Sequence, residues 1–208
     1  MATRSASIHG KLAISFLVDL TSARQDAVVT LRGGVPLELR AGLGAAVDMV
    51  EDACFAGNKA IFIGNGGSAA IASHQAVDYW KNGGLAALAF NDASLLTCIA
   101  NDFGYERVFA EPIERFARDG DVLVAISSSG RSPNILRGVA AGRKTGCRVM
   151  TLSGFDPSNP LRGAGDLNFY VPSHSYGIVE VTHLSLLHAI LEDSMLSRAA
   201  DKDAVAQG

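Results

Sequence analysis

Short apolar runs alternate with longer amphipathic stretches through most of the chain. Residues 60–63, 122–126, 148–152 and 167–171 are the clearest predicted strands, and the alanine-rich run 85–90 is a weaker one. Stretches in which apolar residues recur three and four positions apart separate these runs, which is the helical spacing. Continuous apolar strands separated by helices are typical of a parallel sheet covered on both faces. The pattern therefore predicts a doubly wound α/β fold.

Helical spacing also precedes and follows the predicted sheet. It predicts two leading helices at residues 7–31 and 37–55, interrupted by the segment 33–36, which contains two glycines and a proline. A last helix is predicted over residues 177–199. We expect an N-terminal helical extension at 1–36, one domain at 37–199, and a charged tail at 200–208 that frays.

Composition narrows the class of protein. The 208 residues are 48% hydrophobic and 19% charged, which suits one globular domain, and the net charge is -3. This balance provides no large basic surface, so we expect no nucleic-acid partner. No run approaches the roughly 18 to 20 apolar residues of a membrane span, so we expect a soluble protein. Three cysteines without a Cys-x-x-Cys motif, and no clear export signal, predict a cytoplasmic protein.

The loop after the first predicted strand reads Gly64-Asn65-Gly66-Gly67-Ser68. Its glycines allow a ligand to approach the backbone, and Ser68 could cap the next helix or donate its hydroxyl to an oxyanion. An ordinary glycine-rich turn explains the loop equally well. The motifs of dinucleotide-binding loops and of P-loops are both missing.

The loop after residues 122–126 is richer in hydroxyl groups. It reads Ser127-Ser128-Ser129-Gly130-Arg131-Ser132 and is followed by Pro133, so Ser132 is the predicted N-cap of a helix. Helix N-termini expose amide donors and carry a positive dipole end, which favours an anion. We favour a phosphate site here over a flexible surface turn.

Imidazoles and carboxylates occur on two predicted helices. His74 and Asp78 are four residues apart and project from one helix face, while Glu180, His183 and His188 lie on the last helix. Any single histidine is more commonly a hydrogen-bonded core or surface residue. If the two helices converge, however, these groups suit a zinc-like divalent ion.

Three motifs in order resemble one known family. They are the loop 64–68 with His74, the segment Asn101-Asp102-Phe103-Gly104 with Val108-Phe109, and the serine-rich segment 126–132. Together they resemble the phosphoheptose isomerase branch of the sugar isomerase (SIS) family, and the resemblance runs from about residue 37 to 195. It implies the SIS fold.

The resemblance also implies roles for particular residues. Zinc is the implied metal, and Asp78 and His188 are the implied acid/base pair. The implied metal ligands are His74, Asp78, Glu180 and His188. The implied sugar- and phosphate-binding residues are Asn65, Gly66, Ser68, Asp102, Ser127, Ser128, Ser129, Ser132 and Glu180.

Several positions depart from the family pattern. Asp78 and Glu180 stand where the family has glutamate and glutamine, and Arg131 stands where relatives usually have asparagine. Gly177 and Ile178 replace an aspartate and an arginine that help hold the substrate in the family. Arg131 could add a cation to the phosphate site or face solvent.

The implied reaction is the conversion of sedoheptulose 7-phosphate to D-glycero-D-manno-heptose 7-phosphate through an enediol. The departures leave open an isomerase of another sugar phosphate. A non-catalytic alternative is a tetrameric adaptor related to these enzymes that binds the replication initiator. The family resemblance also implies a homotetramer assembled through the leading helices, although their apolar faces could instead pack within one chain.

Overall fold

The computed structural model describes residues 3–206, and side chains are described for residues 10–202. One seven-stranded sheet forms the centre of the molecule, with the strand order β2-β1-β7-β6-β5-β3-β4. The strands are β1 (Val28–Leu31), β2 (Pro36–Leu37), β3 (Ala60–Gly64), β4 (Ala87–Ala89), β5 (Val122–Ser127), β6 (Arg148–Gly154) and β7 (Leu167–Val171). Strands β3 to β7 pair in parallel, and β1 pairs antiparallel with both β2 and β7.

Seven α-helices within residues 3–206 accompany the sheet. They are α1 (Thr3–Gln25), α2 (Leu39–Phe55), α3 (Gly67–Lys81), α4 (Ala93–Phe103), α5 (Ala110–Phe116), α6 (Pro133–Lys144) and α7 (Tyr176–Ala206). On one face of the sheet, α2, α3 and α7 pack into a core with Phe62 and Val124. On the other face, α5 and α6 pack with Ile61 and Leu123. Neighbouring strand residues point to opposite faces, so both faces of the sheet are covered.

The fold confirms the predicted α/β class and the predicted strands. Even the weak candidate at 85–90 contains β4, and every residue of β3, β5 and β7 is buried. A strand that is covered on both faces has no solvent side, which explains why these segments read as continuous apolar runs.

The prediction of one helix over residues 7–31 was wrong. Helix α1 ends at Gln25, and Val28–Leu31 is strand β1, which pairs antiparallel with β7. Short apolar runs fit helical and strand spacing equally well, and three β-branched residues favour the strand. Gly33 and Gly34 both adopt a φ of 81°, which turns the chain into the short edge strand β2. The second helix begins at Leu39 rather than at 37.

The last helix is longer than predicted. Helix α7 continues to Ala206, so most of the segment 200–208 that we expected to fray is helical, and residues 207–208 lie outside the described part. The predicted boundaries at 36 and 199 stay a prediction, although β1 brings part of the N-terminal extension into the sheet. Among residues 3–206, no helix combines the length and the apolar run that a membrane span requires.

The parallel strands determine where a ligand can bind. The carboxyl ends of β3, β5 and β6 lie side by side at one edge of the sheet, because these strands are parallel and adjacent. Ligands of open α/β sheets bind outside this carboxyl edge. Both loops that the sequence predicts to bind phosphate begin there.

Candidate functional site

The turn between β3 and α3 exposes backbone amides at the carboxyl edge. Gly66 has a φ of 53° and a ψ of -123°, a conformation that favours glycine, and it is the N-cap of α3. Ser68 is therefore not the cap. It lies within the first helical turn and is 4% exposed.

The Asn65 side chain is held by two neighbours. Asn65 and Asn134 exchange reciprocal amide hydrogen bonds of 2.9 and 2.8 Å, and the hydroxyl of Tyr105 donates to Asn65 Oδ1 at 3.2 Å. Asn134 lies in the first turn of α6 and Tyr105 follows α4. Asn65 is thus fixed at the point where the β3 and β5 loops meet.

We call residues 127–132 the serine loop. Ser132 is the N-cap of α6 and Pro133 is its first residue, as predicted, but the Ser132 side chain makes no capping bond. Its hydroxyl oxygen lies 3.4 Å from that of Ser127. Ser128 is 5% exposed, and its hydroxyl has no hydrogen-bond partner among the residues that the structure describes. Buried hydroxyls without partners are uncommon and costly, so this group is available to a ligand.

The loop after β6 supports the serine loop from behind. Gly154 N–H donates to the Ser128 carbonyl at 3.0 Å, and Leu161 N–H donates to the Gly130 carbonyl at 3.2 Å. Gly130 has a φ of 61°, and a side chain there would collide with Asn159. The position therefore requires glycine both for its backbone conformation and for its packing.

The two loops enclose a cavity of about 130 Å³. The lining residues are Asn65, Ser68, Ser127, Ser128, Ser129, Ser132, Tyr176 and Glu180. Hydroxyl groups and the N-terminus of α6 form one side, and the start of α7 forms the other. This arrangement provides the donors that a phosphate group needs.

Arg131 does not line this cavity, and its side chain forms an ion pair with Asp156. Its Nη2 donates to Asp156 Oδ2 at 2.6 Å, and the Arg131 side chain is 55% exposed. Hydrogen bonds from the Ser158 hydroxyl and amide, and then the bond from Arg131, lower the pKa of Asp156 to about 2. The ion pair ties the serine loop to the loop after β6.

A second group of side chains lies between α3 and α7. One ligand atom from each of His74, Asp78 and His188 lies within 4.8 Å of the others, and this group could hold a metal ion. The two Nε2 atoms of His74 and His188 are 3.2 Å apart, and His74 Nε2 is 3.3 Å from Asp78 Oδ2. Two ligands bound to a tetrahedral ion at 2.0 to 2.1 Å would lie about 3.4 Å apart. These three residues therefore fit a divalent metal in both chemistry and spacing.

Glu180 does not belong to this three-residue group. Its carboxylate lies against Gly67, where an added Cβ would come within 2.5 Å of both carboxylate oxygens, and it lines the phosphate-sized cavity. Glu180 and His188 are eight residues apart on α7, a rise of about 12 Å along the helix. The role of Glu180 as a metal ligand stays a prediction.

His183 lies in the interior of the protein, where its surroundings indicate a structural role. It is fully buried, and its Nε2 lies 3.1 Å from the carbonyl oxygen of Ser153 on β6. Burial lowers the pKa of His183 to about 4, because the charged imidazolium is disfavoured away from water. This histidine is neutral at physiological pH and packs between α7 and β6, and it is not one of the three residues that could hold a metal ion.

Asp102 and Gly66 are the two predicted ligand-binding residues that do not line the cavity. The role of Gly66 stays a prediction, and Asp102 lies further away along the chain. It lies in the last turn of α4, where its Oδ1 accepts a hydrogen bond of 2.8 Å from Asn101 Nδ2. Its role stays a prediction.

Sequence reasoning missed Tyr105, Asn134 and Tyr176. Asn134 directly follows the predicted helix start at Pro133, which was a usable signal. The other two carried no distinguishing pattern.

Comparisons with known proteins identify the family of this chain. The SIS domain family matches residues 26–154. A phosphoheptose isomerase of Citrifermentans bemidjiense is 38% identical over 161 residues, which cover 74% of this chain and 83% of that protein. The phosphoheptose isomerase of Proteus mirabilis is 37% identical over 153 residues, covering 71% and 79%. A solved structure of the enzyme from Neisseria gonorrhoeae matches with a TM-score of 0.74 and 28% identity, covering 93% of this chain and 99% of that one. The chain therefore belongs to the phosphoheptose isomerase branch of the SIS domain family.

Proposed function

We propose that this protein is a phosphoheptose isomerase that converts sedoheptulose 7-phosphate to D-glycero-D-manno-heptose 7-phosphate. The observation that carries the proposal is the placement of the hydroxyl-lined cavity and the His74–Asp78–His188 group along the same pair of helices. The relatives at 36–38% identity bear the name of this activity.

The substrate class follows from the separation of these two sites. Gly67 and Glu180 meet at the cavity, and His74 follows Gly67 by seven residues of α3, a rise of about 10 Å. A sugar with its phosphate at one end and its carbonyl at the other fits such an elongated site. A seven-carbon chain extends further from its phosphate than a shorter sugar does.

The reaction moves a proton between C1 and C2 of the sugar. A base removes a proton from C1 of the ketose while the C2 oxygen is protonated, and the resulting enediol is then protonated at C2 while the C1 hydroxyl loses its proton. We assign the carbon-bound proton to Asp78 and the oxygen-bound proton to His188. His188 Nδ1 lies 4.0 Å from Asp78 Oδ2, so both groups face one reacting centre.

Zinc is the proposed metal, held by His74, Asp78 and His188. When bound, it supplies a Lewis acid that polarises the sugar oxygens. The second oxygen of Asp78 accepts a hydrogen bond of 3.2 Å from Asn82, which orients the carboxylate. Such support is typical of ligands that must hold one geometry.

We further propose that the enzyme is a cytoplasmic homotetramer. Helix α1 packs on α7 and still leaves a large apolar surface exposed, which is typical of an interface. The exposed apolar side chains of α1 are Leu12, Ile14, Phe16, Leu17 and Val18. Light scattering on the purified protein tests the mass. A monomer at micromolar concentration would contradict the tetramer.

The activity is tested by incubating the zinc-loaded protein with sedoheptulose 7-phosphate and following the aldose product by NMR. We expect turnover that is lost in His188→Ala and retained in Glu192→Gln, a matched change at an exposed position of the same helix. Zinc content, measured by mass spectrometry, should fall in His74→Ala and His188→Ala. Binding of the sugar phosphate without turnover would contradict the proposal and favour the adaptor alternative, whereas turnover of a different sugar phosphate would favour the other isomerase.

A further inference from the structure

Tyr176 lies in the wall of the phosphate-sized cavity opposite the serine loop. It is the first residue of α7 and lies one turn before Glu180, so the two side chains share a helix face. Tyr176 is 63% exposed as a residue although it lines the cavity. The ring therefore has surface that packing within the chain does not use.

A neighbouring aromatic residue holds this ring in place. The rings of Phe155 and Tyr176 meet edge to face at 87°, with their centroids 4.7 Å apart. Edge-to-face contacts of this kind stabilise aromatic pairs beyond their buried area. The His174 ring stacks on Phe155 with centroids 6.0 Å apart. Tyr176 is thus one member of an aromatic cluster at the rim of the cavity.

Phe155 has an unusual backbone. Its φ is 58°, and no other residue besides glycine has a positive φ in the described part of the chain. Two hydrogen bonds fix this conformation, from Phe155 N–H to the Ser173 carbonyl at 3.0 Å and from the Tyr170 hydroxyl to the Phe155 carbonyl at 2.8 Å. Backbone conformations that are unfavourable for bulky residues persist where surrounding contacts impose them, and they concentrate at functional sites.

The same loop joins both walls of the cavity. Phe155 contacts Tyr176 on one side, and the next residue, Asp156, binds Arg131 of the serine loop on the other. The loop after β6 therefore sets the distance between the aromatic wall and the hydroxyl wall.

We propose that Tyr176 contacts the carbon chain of the sugar and makes the site selective for a sugar phosphate over phosphate alone, with Phe155 as its positioning residue. This rests on the proposed function. The serine hydroxyls hold the phosphate, and the chain then passes Tyr176 and Glu180 on its way to His74 and His188. An aromatic ring with a hydroxyl suits a ligand that presents both C–H and O–H groups. In this chain Gly177 and Ile178 provide no polar side chain beside it.

Calorimetric titration with sedoheptulose 7-phosphate, fructose 6-phosphate and inorganic phosphate tests the proposal. Tyr176→Ala should weaken binding of the preferred sugar phosphate about tenfold and leave the affinity for inorganic phosphate unchanged. Tyr176→Phe should retain most of the affinity, and Phe155→Leu should raise KM while kcat changes little. Phe116→Ala is the control, because Phe116 is 58% exposed and lies near Arg118 and Asp121, on the opposite edge of the sheet.

Equal losses for sugar phosphate and inorganic phosphate in Tyr176→Ala would overturn the proposal, because they would indicate a damaged phosphate site. An unchanged affinity for the sugar phosphate would also overturn it, as would a parent protein that binds phosphate but neither sugar phosphate. Sugar-phosphate binding without turnover in the parent would refute the proposed isomerase activity alone. The binding comparison would then still decide the role of Tyr176.

Discussion

Buried polar side chains lie at both the amino edge and the carboxyl edge of the parallel strands. The two edges differ in whether these side chains have hydrogen-bond partners. At the amino edge, the Asp121 carboxylate is fully buried and accepts bonds from Lys59 Nζ at 2.6 Å, Lys59 N–H at 3.0 Å and Arg118 N–H at 2.8 Å. At the carboxyl edge, the buried hydroxyl of Ser128 has no hydrogen-bond partner within the described part of the chain. Satisfied buried groups stabilise a fold, whereas unsatisfied ones reduce its stability and remain available to a ligand. We therefore expect the polar groups of the amino edge to stabilise the fold and those of the carboxyl edge to bind the ligand.

The largest effect is expected from Asp78→Asn at the carboxyl edge. Removing the proposed base should lower kcat by about a thousandfold, because general base catalysis typically contributes a hundredfold to ten-thousandfold. The free energy of unfolding should stay unchanged. Steady-state kinetics and urea unfolding measure both quantities, with Asp48→Asn on the exposed face of α2 as the control. A kcat within tenfold of the parent would contradict the assignment of the base.

Asp121→Asn at the amino edge should have the opposite profile. It leaves the Lys59 ammonium without its counter-charge, so the free energy of unfolding should fall by about 3 kcal/mol. The kcat of the folded protein at low temperature should not change. A variant that kept its stability, or that lost activity while still folded, would contradict the division between the two edges.

His183 predicts how stability depends on pH. Its pKa is about 4 in the folded protein against an ordinary 6.5, so between these values the unfolded chain binds the proton and the folded chain does not. The contribution of His183 to stability is therefore fully present above pH 6.5 and should fall by about 1.4 kcal/mol per pH unit as the pH drops towards 4. His183→Gln should remove this component of the slope. Urea unfolding of both proteins at pH 7, 5.5 and 4.5 measures the difference, and equal slopes would contradict the prediction.

The smallest effect is expected from Ser128→Ala. It should weaken inorganic phosphate binding about tenfold, because a hydrogen bond to a charged group contributes roughly 1.5–3 kcal/mol. Removing an unsatisfied hydroxyl should leave stability unchanged or raise it by about 1 kcal/mol. Titration and unfolding are compared with Ser197→Ala, an exposed serine of α7. Unchanged phosphate affinity would exclude the Ser128 hydroxyl as a ligand.

Much of this fold could be predicted because its strands are buried on both faces and therefore read as apolar runs. The serine loop could also be predicted, because Ser132 and Pro133 mark a helix start directly after a strand. Strand β1 could not, since four apolar and β-branched residues also fit helical spacing.

Local spacing could not predict contacts between distant segments. Asn65 and Asn134 are 69 positions apart, and only the parallel pairing of β3 with β5 brings their loops together. Similarly, the packing of α3 against α7 brings His188 into contact with His74 and Glu180 into contact with Gly67. The sequence predicts which residues share one face of a helix. It does not predict which residues of α3 lie opposite which residues of α7.

The most direct test of the central claim, that the carboxyl edge moves a proton between C1 and C2 of sedoheptulose 7-phosphate, is isomerisation in D₂O followed by NMR. A solvent-exchanging base predicts deuterium at C2 of the aldose and, after extended turnover, at C1 of the remaining ketose, with both signals lost in Asp78→Asn. Absence of aldose, or aldose formation and deuterium incorporation that persist unchanged in Asp78→Asn, would contradict the account.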